Sequence, residues 1–318
     1  MIITMSCLNP IHLKNPNLGK NPSLHLNTKS LYITVPCGKC PSCITARRRE
    51  IVTRYLLESL NNGSNYFFTL TYDEIYLPRI GDTEPGISSK YPSFSSVPCV
   101  SKTHAQLFLQ RLRNSFRSIE GFTPLRYALV SEYGPHELRP HYHGILFGVP
   151  SEWNAEVNIQ RYWPHGFTQV GPLSDGGCGY VAKYLLKDSK TPVLPDGSRL
   201  SNFQLHSRFP PLGCGGLTPE VIRYINKTGS RRIKIKQLGD LVIPYSCLKP
   251  FLTERQLRRL RAIEHKKAQE YKDTKIENLS KELFSITEVD RVLMREIQET
   301  WITLSQNIKR SKSQSKDI

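Results

Sequence analysis

The sequence has no apolar run approaching the roughly 18 to 20 residues that a membrane-spanning helix needs. Its start, MIITMSCLNP, has no charged segment ahead of a long apolar stretch, so neither a membrane anchor nor a secretory signal is expected. No G-x-x-x-x-G-K-S/T motif occurs, which argues against an NTP-driven motor on this chain. Internal repeats are missing as well. Acid is short: 27 Asp and Glu stand against 44 Lys and Arg, leaving a net charge of +17 and a pI near 9.6. That imbalance is the electrostatic footprint of a phosphate-rich partner. With 318 residues and 38% hydrophobic content, the chain can still bury a core. Its 8 cysteines, several crowded near the start, suit metal binding better than a secreted disulfide framework, and the expected compartment is the cytoplasm.

The first fifty residues read as irregular up to VPCGKCPSC, after which ITARRREIVTRYLLESL predicts a basic helix. YFFTLTY, Tyr66 to Tyr72, reads as a buried strand, and the Pro/Gly/Ser-rich stretch from about Pro78 to Val100 as an exposed loop. The spacing Ala105, Phe108, Leu109, Leu112, Phe116, Ile119 predicts a helix capped by Ser101 or Thr103. LRYALVSEY and HYHGILFG, joined by the turn-rich GPHELRP, predict an antiparallel pair. SEWNAEVNIQRYW predicts a short helix, PHGFTQV a strand and YVAKYLLKD another helix. These elements imply an α+β fold with a central antiparallel sheet and packed helices. Beyond them, SRRIKIKQLGDLVI reads as a basic hairpin, and the chain from about Leu252 as helical with a frayed tail. The implied organisation is a Cys-rich segment (1–60), a central catalytic-type domain (61–190), a basic loop and hairpin region (191–250) and a helical C-terminal region (251–318).

Alternate side chains of a strand share a face, so His141 and His143 point the same way and form a two-point clamp for a divalent cation. Glu132, at the end of the preceding strand, can lie beside them and add an oxygen ligand that broadens the choice toward Mg²⁺. His136 and Glu137, in the turn, are less well aimed. Tyr180 and Tyr184 are four apart and stack on one helix face beside a stripe of Lys183 and Lys187. Taken singly, H-x-H also describes two hydrogen-bonded strand-end histidines, and Y-x-x-x-Y an aromatic core stripe. Together they are complementary. A phenol with a pKa of about 10 is on the order of 0.1% ionised at neutral pH, so it attacks phosphate only with help, and a cation supplies that help.

The set FFTLTY, Glu132 with RPHYHG, and YVAKY resembles the three motifs of HUH-type rolling-circle replication initiators. The layout, from PCGKCPSC to about Lys187, closely resembles the replication-initiation proteins of gokushoviruses, small single-stranded-DNA phages of the Microviridae. The resemblance implies an HUH nickase-like fold, with His141, His143 and Glu132 binding Mg²⁺ or Mn²⁺ and Tyr180 and Tyr184 as nucleophiles. It implies nicking of single-stranded origin DNA through a 5′-phosphotyrosine, religation through the second tyrosine, and work in the bacterial host cytoplasm with a host helicase and replication machinery. Lys183 fits a family position and is expected to bias the phenol or contact phosphate. Tyr142 stands where an aliphatic residue is usual, a departure that a half-buried strand tolerates.

Cys37, Cys40 and Cys43, at C-x-x-C-x-x-C spacing, suit a structural Zn²⁺ with Cys7 as the fourth thiolate; His12 and His25 are alternative fourth ligands, and the spacing also admits an iron–sulfur cluster. Cys99, Cys178, Cys214 and Cys247 are scattered and expected to be inert. ARRRE, Arg113, Arg117 and RRIKIK offer contacts to phosphate. Two other readings compete: a non-catalytic zinc-containing nucleic-acid-binding regulator, and a related transposase or relaxase using the same chemistry.

Overall fold

A computed structural model describes residues 7, 9–20, 29–60, 63–80, 97–117, 119, 124–135, 137–150, 152–173, 178, 191–194, 197–235, 239–282 and 286–313. The chain divides into two compact units, Met1–Arg49 with Arg258–Ile318, and Glu50–Leu257. In the first unit, β1 (Ile11–Lys14) and β2 (Tyr32–Val35) pair antiparallel. The segment read as irregular therefore contains a short ladder. Its residues are mostly exposed, so no buried face imposes an apolar alternation that a sequence pattern could reveal. Helix α1 (Pro41–Glu58) begins beside this ladder in the chain and carries residues of both units.

The second unit is built on a five-stranded antiparallel sheet. Its strands are β3 (Ser64–Thr71), β4 (Arg126–Tyr133), β5 (Pro140–Val149), β6 (Thr168–Pro172) and β7 (Gln204–His206), in the order β6-β3-β5-β4-β7. Helices α2 (Lys102–Phe116) and α3 (Ala155–Tyr162) start where the side chains of Ser101 and Asn154 accept backbone N–H bonds from His104 and Val157. The apolar stripe of α2, Phe108, Leu109, Leu112 and Phe116, packs with Phe68, Leu70, Tyr142 and Leu146 on one sheet face. On the other face Tyr55 of α1 and Cys178 pack with Ala128, Val130, Ile145 and Phe147. The two central strands are thus covered on both sides, which is why they read as continuous apolar runs. Gly144 is required by this packing: a Cβ there would fall 2.1 Å from the ring of Phe68, which lies across β5.

Two details depart from the sequence reading. The ends of the supposed exposed loop are buried, with Ile80 at 2% and Cys99 at 4% exposure, tied by an Arg79–Pro98 bridge. Tyr142 is fully buried, not half-buried; its hydroxyl donates to Ser101 O (3.0 Å) and accepts from Ser101 N–H (2.8 Å), fastening the start of α2 to the sheet. Glu58 closes α1 against β4: it is buried, and Arg126 Nε donates to it at 2.7 Å. Farther along come α4 (Pro219–Thr228), the hairpin β8 (Arg232–Ile235) and β9 (Gly239–Val242), and α5 (Tyr245–Leu248). The basic hairpin is therefore present, but Arg231 at its foot is engaged, donating to Ile243 O at 2.6 Å and lying 3.9 Å over the Tyr245 ring. The first unit also contains the long helices α6 (Glu254–Glu282) and α7 (Ile286–Ser313).

Candidate metal centre

The β4–β5 hairpin sets Glu132 directly opposite His141 and Val130 opposite His143, while β3 places Thr71 and Thr69 on their other side. Because the strand period is two, His141, His143 and Glu132 share one face, the face that also carries Ile145 and Phe147. Both imidazole Nε2 atoms lie 3.5 Å from Glu132 Oε2, and the rings stand nearly perpendicular at a centroid separation of 5.0 Å. The three ligand atoms lie within 4.8 Å of one another. Glu132 and His143 are buried, whereas His141 is partly open to solvent.

The opposite ring nitrogens are held. His141 Nδ1 lies 3.1 Å from Arg139 O; a carbonyl can only accept, so Nδ1 carries the proton and a neutral ring leaves its Nε2 lone pair facing Glu132. Arg139 is itself pinned, donating to Tyr72 O at 2.8 Å and to Glu74 Oε2 at 2.7 Å. That ion pair holds the Glu74 carboxyl below its ordinary value. His143 Nδ1 lies 3.1 Å from Thr69 Oγ1, and its ring stacks on Phe67. Leu138, just before Arg139, adopts the left-handed conformation at φ 52°, a constraint in the turn that presents the pair. Two imidazole nitrogens and one carboxylate oxygen, converging with their outer atoms fixed, fit a divalent cation of the Mg²⁺ or Mn²⁺ type. Thr69, Arg139 and Glu74 are the supporting residues that sequence reasoning missed, although the Arg-Pro step before the histidines was the available signal.

Tyr180, Lys183 and Tyr184 lie outside the described residues, as does His136. The described residue nearest the tyrosines in sequence is Cys178, helical and buried against Val130, Ile145 and Phe147 on the face that bears the histidines. Glu137 is exposed in the turn. The exposed Arg113 and Arg117 belong to the α2 layer and its C-terminus, on the opposite side of the sheet from the Glu/His/His group.

A second group lies in the other unit, where Cys7, Cys37, Cys40 and Cys43 bring their sulfurs within 4.8 Å of one another. Cys37 N–H donates to Cys7 Sγ at 3.2 Å, and Cys40 N–H to Cys37 Sγ at 3.3 Å. Gly38 makes the turn possible at φ 73°, a conformation other residues rarely adopt. Backbone N–H groups of Lys39 and Cys40 hold the Cys37 thiol below its ordinary value, while burial pushes the Cys43 thiol up to about 12. His12 is not part of the group; its Nδ1 meets Thr34 Oγ1 at 3.0 Å across the β1–β2 ladder, and His25 lies outside the described residues. Of the cysteines read as scattered, Cys214 and Cys247 come together, Cys214 S–H donating to Cys247 O and Cys247 S–H to Leu212 O, each at 3.4 Å.

The family model for the replication-associated protein ORF2 matches residues 65–189. Replication-associated protein ORF2 of Spiroplasma virus 4 is 28% identical, over 58% of this chain and 61% of that protein. Replication-associated protein VP4 of Bdellovibrio phage phiMH2K is 27% identical over 58% of each chain, and replication-associated protein ORF4 of Chlamydia phage 1 is 24% identical over 50% of this chain and 39% of its own. These matches bear out the resemblance to gokushovirus replication proteins. The chain spans about 60% or less of the length of these curated relatives. The matched span of the family model holds β3 to β6, the Glu/His/His group and the YVAKY segment; the cysteine group lies before it. No solved structure matches the chain significantly. Among the described residues no helix is long and apolar enough to cross a membrane.

Proposed function

We propose that this protein initiates rolling-circle replication of a small phage genome as an HUH-type, metal-dependent endonuclease and strand transferase acting on single-stranded origin DNA. The observation that carries the reading is the convergence of His141 Nε2, His143 Nε2 and Glu132 Oε2 on one buried-edged spot of the sheet. Mg²⁺ or Mn²⁺ bound there withdraws negative charge from the scissile phosphate and favours attack upon it. Arg139 and Thr69 hold the imidazoles in the orientation that binds the cation. Tyr180 or Tyr184 supplies the nucleophile: its phenol oxygen loses a proton and bonds to phosphorus, and the P–O3′ bond breaks. The 3′ oxygen takes up a proton and leaves as the hydroxyl that primes synthesis, while the 5′ side stays on the tyrosine. The second tyrosine repeats the exchange after one round and lets the freed 3′-hydroxyl close the circle, with Lys183 beside both phenols near phosphate. The burial of Cys178 on the histidine face supports delivery of this segment to the metal side.

The four-cysteine group is a closed thiolate set of the kind that holds structural Zn²⁺, joining Cys7 to the first turn of α1, where Arg47, Arg48 and Arg49 follow. The net charge of +17 supports binding along the phosphate backbone, and a host helicase supplies the unwinding. The test is an adduct assay. Metal-loaded protein with a single-stranded origin oligonucleotide gives a band resistant to SDS, and mass mapping places the DNA on Tyr180 or Tyr184. Absence of the band on either strand of the origin, with Mg²⁺ and with Mn²⁺, overturns the reading.

A further inference from the structure

Strand β6 forms one edge of the sheet, and its pairing with β3 runs on past its formal start. Thr71 N–H bonds to Phe167 O at 2.9 Å and Asp73 N–H to His165 O at 2.8 Å, in register with the Leu70–Thr168 pair. Phe167, Thr71, His141 and Glu132 therefore lie in one row across the sheet, and Gln169, Thr69, His143 and Val130 in the next. The side of the sheet each residue faces follows from its neighbours. Thr168 bonds to Gln160 of α3 and Val170 packs in the α2–α3 core, so Phe167 and Gln169 face the other way, with the histidines.

Phe167 is 68% exposed, and Gln169 is exposed beside it. An aromatic ring left in water next to a candidate cation site calls for a partner. A flat aromatic ring flanked by an amide and two threonine hydroxyls is not the contiguous apolar patch that a protein partner buries; it matches a nucleobase, which offers a face for stacking and an edge for hydrogen bonds. Two strand spacings of about 4.8 Å separate Phe167 from His141, which puts the ring beside a nucleotide adjoining the one at the cation.

We propose that Phe167 and Gln169 form a nucleobase-binding strip on β6, in which Phe167 stacks on a base flanking the scissile phosphate and Gln169 meets the edge of that base or the next. This rests on the reading of the Glu132–His141–His143 group as the cleavage centre. It assigns to the outer strand of the sheet the task of holding unpaired DNA in line, so that the phosphate is presented rather than merely attracted.

An abasic scan tests it. Origin oligonucleotides lacking one base at successive positions around the cleavage point are measured for binding and for adduct formation, with the intact protein and with Phe167→Ala, Phe167→Leu and Phe167→Trp. The wild-type protein is expected to lose affinity about 5- to 150-fold at one flanking position, the ratio corresponding to about 1–3 kcal/mol for one stacked base. Phe167→Ala and Phe167→Leu lower affinity for the complete strand by a similar factor and erase the penalty at that position, whereas Phe167→Trp retains both. An abasic profile identical in wild type and Phe167→Ala overturns the strip while leaving adduct formation, and the cleavage reading, in place. Failure of the wild-type protein to form any adduct instead overturns the cleavage reading on which the strip depends.

Discussion

The two metal-competent groups are assembled in different ways. Glu132, His141 and His143 stand on neighbouring strands whose positions are set by a continuous hydrogen-bond ladder and an apolar core on both faces. Cys7, Cys37, Cys40 and Cys43 stand on loops and one helix start, next to a two-stranded ladder with exposed side chains. The first group exists because the sheet exists; the second holds its own surroundings together only through whatever binds the sulfurs. The difference separates chemistry from architecture. A site preformed by a sheet can bind and release a cation without unfolding, while a closed thiolate set on loops makes metal binding part of folding.

The largest effect expected from this contrast is on the cysteine group. Apparent zinc binding in such sets is worth on the order of 10 kcal/mol, so a strong chelator or Cys40→Ser should abolish amide protection in 9–20 and 29–40. Hydrogen exchange should meanwhile show the five-stranded sheet still protected. Equal loss in both regions would erase the distinction. Next in size is His141→Ala, which removes a ligand without touching the core. Adduct formation should fall at least about 100-fold, the loss of several kcal/mol of charge stabilisation, with little change in Tm and with salt-sensitive DNA binding retained.

Smaller effects should follow when the supports of the histidines are altered. Arg139→Ala and Thr69→Val leave all three ligands in place but release the Nδ1 side of each ring, and should weaken Mn²⁺ binding by about 10- to 100-fold in a titration followed by adduct yield. Comparable activity at saturating Mn²⁺ would confirm that these residues orient rather than react.

The candidate site was legible in part because its geometry is local. Glu132 and the two histidines sit on one hairpin, so strand alternation alone aligns them. Thr69 was not legible, because the contact with His143 joins residues 74 apart and depends on which strand neighbours β5. Arg139 could be seen as a neighbour, but not that its carbonyl fixes the tautomer of His141. The α+β class and the antiparallel sheet follow from period-two and helical spacings, and Ser101 proved to be the cap of α2. The three-residue β7 is too short to leave a pattern, and the burial of Ile80 and Cys99 arises from a bridge between Arg79 and Pro98 across a composition that otherwise reads as exposed. The nucleobase strip escaped for the opposite reason: a phenylalanine in a strand is ordinary, and only its exposure beside the histidine rows makes it informative.

The smallest effect concerns pH. Burial and the neighbouring His104 hold the His165 imidazole down at about 4, and burial also lowers His104 and His206. The unfolded chain then binds more protons than the folded one between about 4 and 6.5, so stability is full above 6.5 and declines as pH falls toward 4. His165→Gln should flatten the Tm profile of the second unit in that window without altering chelator sensitivity of the first. An unchanged slope would show that His165 does not set the acid limb.

The central claim, that a cation held by Glu132, His141 and His143 touches the phosphate being cut, is tested most directly by sulfur substitution at that phosphate. One stereoisomer of an origin oligonucleotide with a non-bridging sulfur at the cleavage point should form adduct poorly in Mg²⁺ and recover in thiophilic Cd²⁺, in wild type but not in His141→Ala. Equal slowing by sulfur in both metals would contradict it.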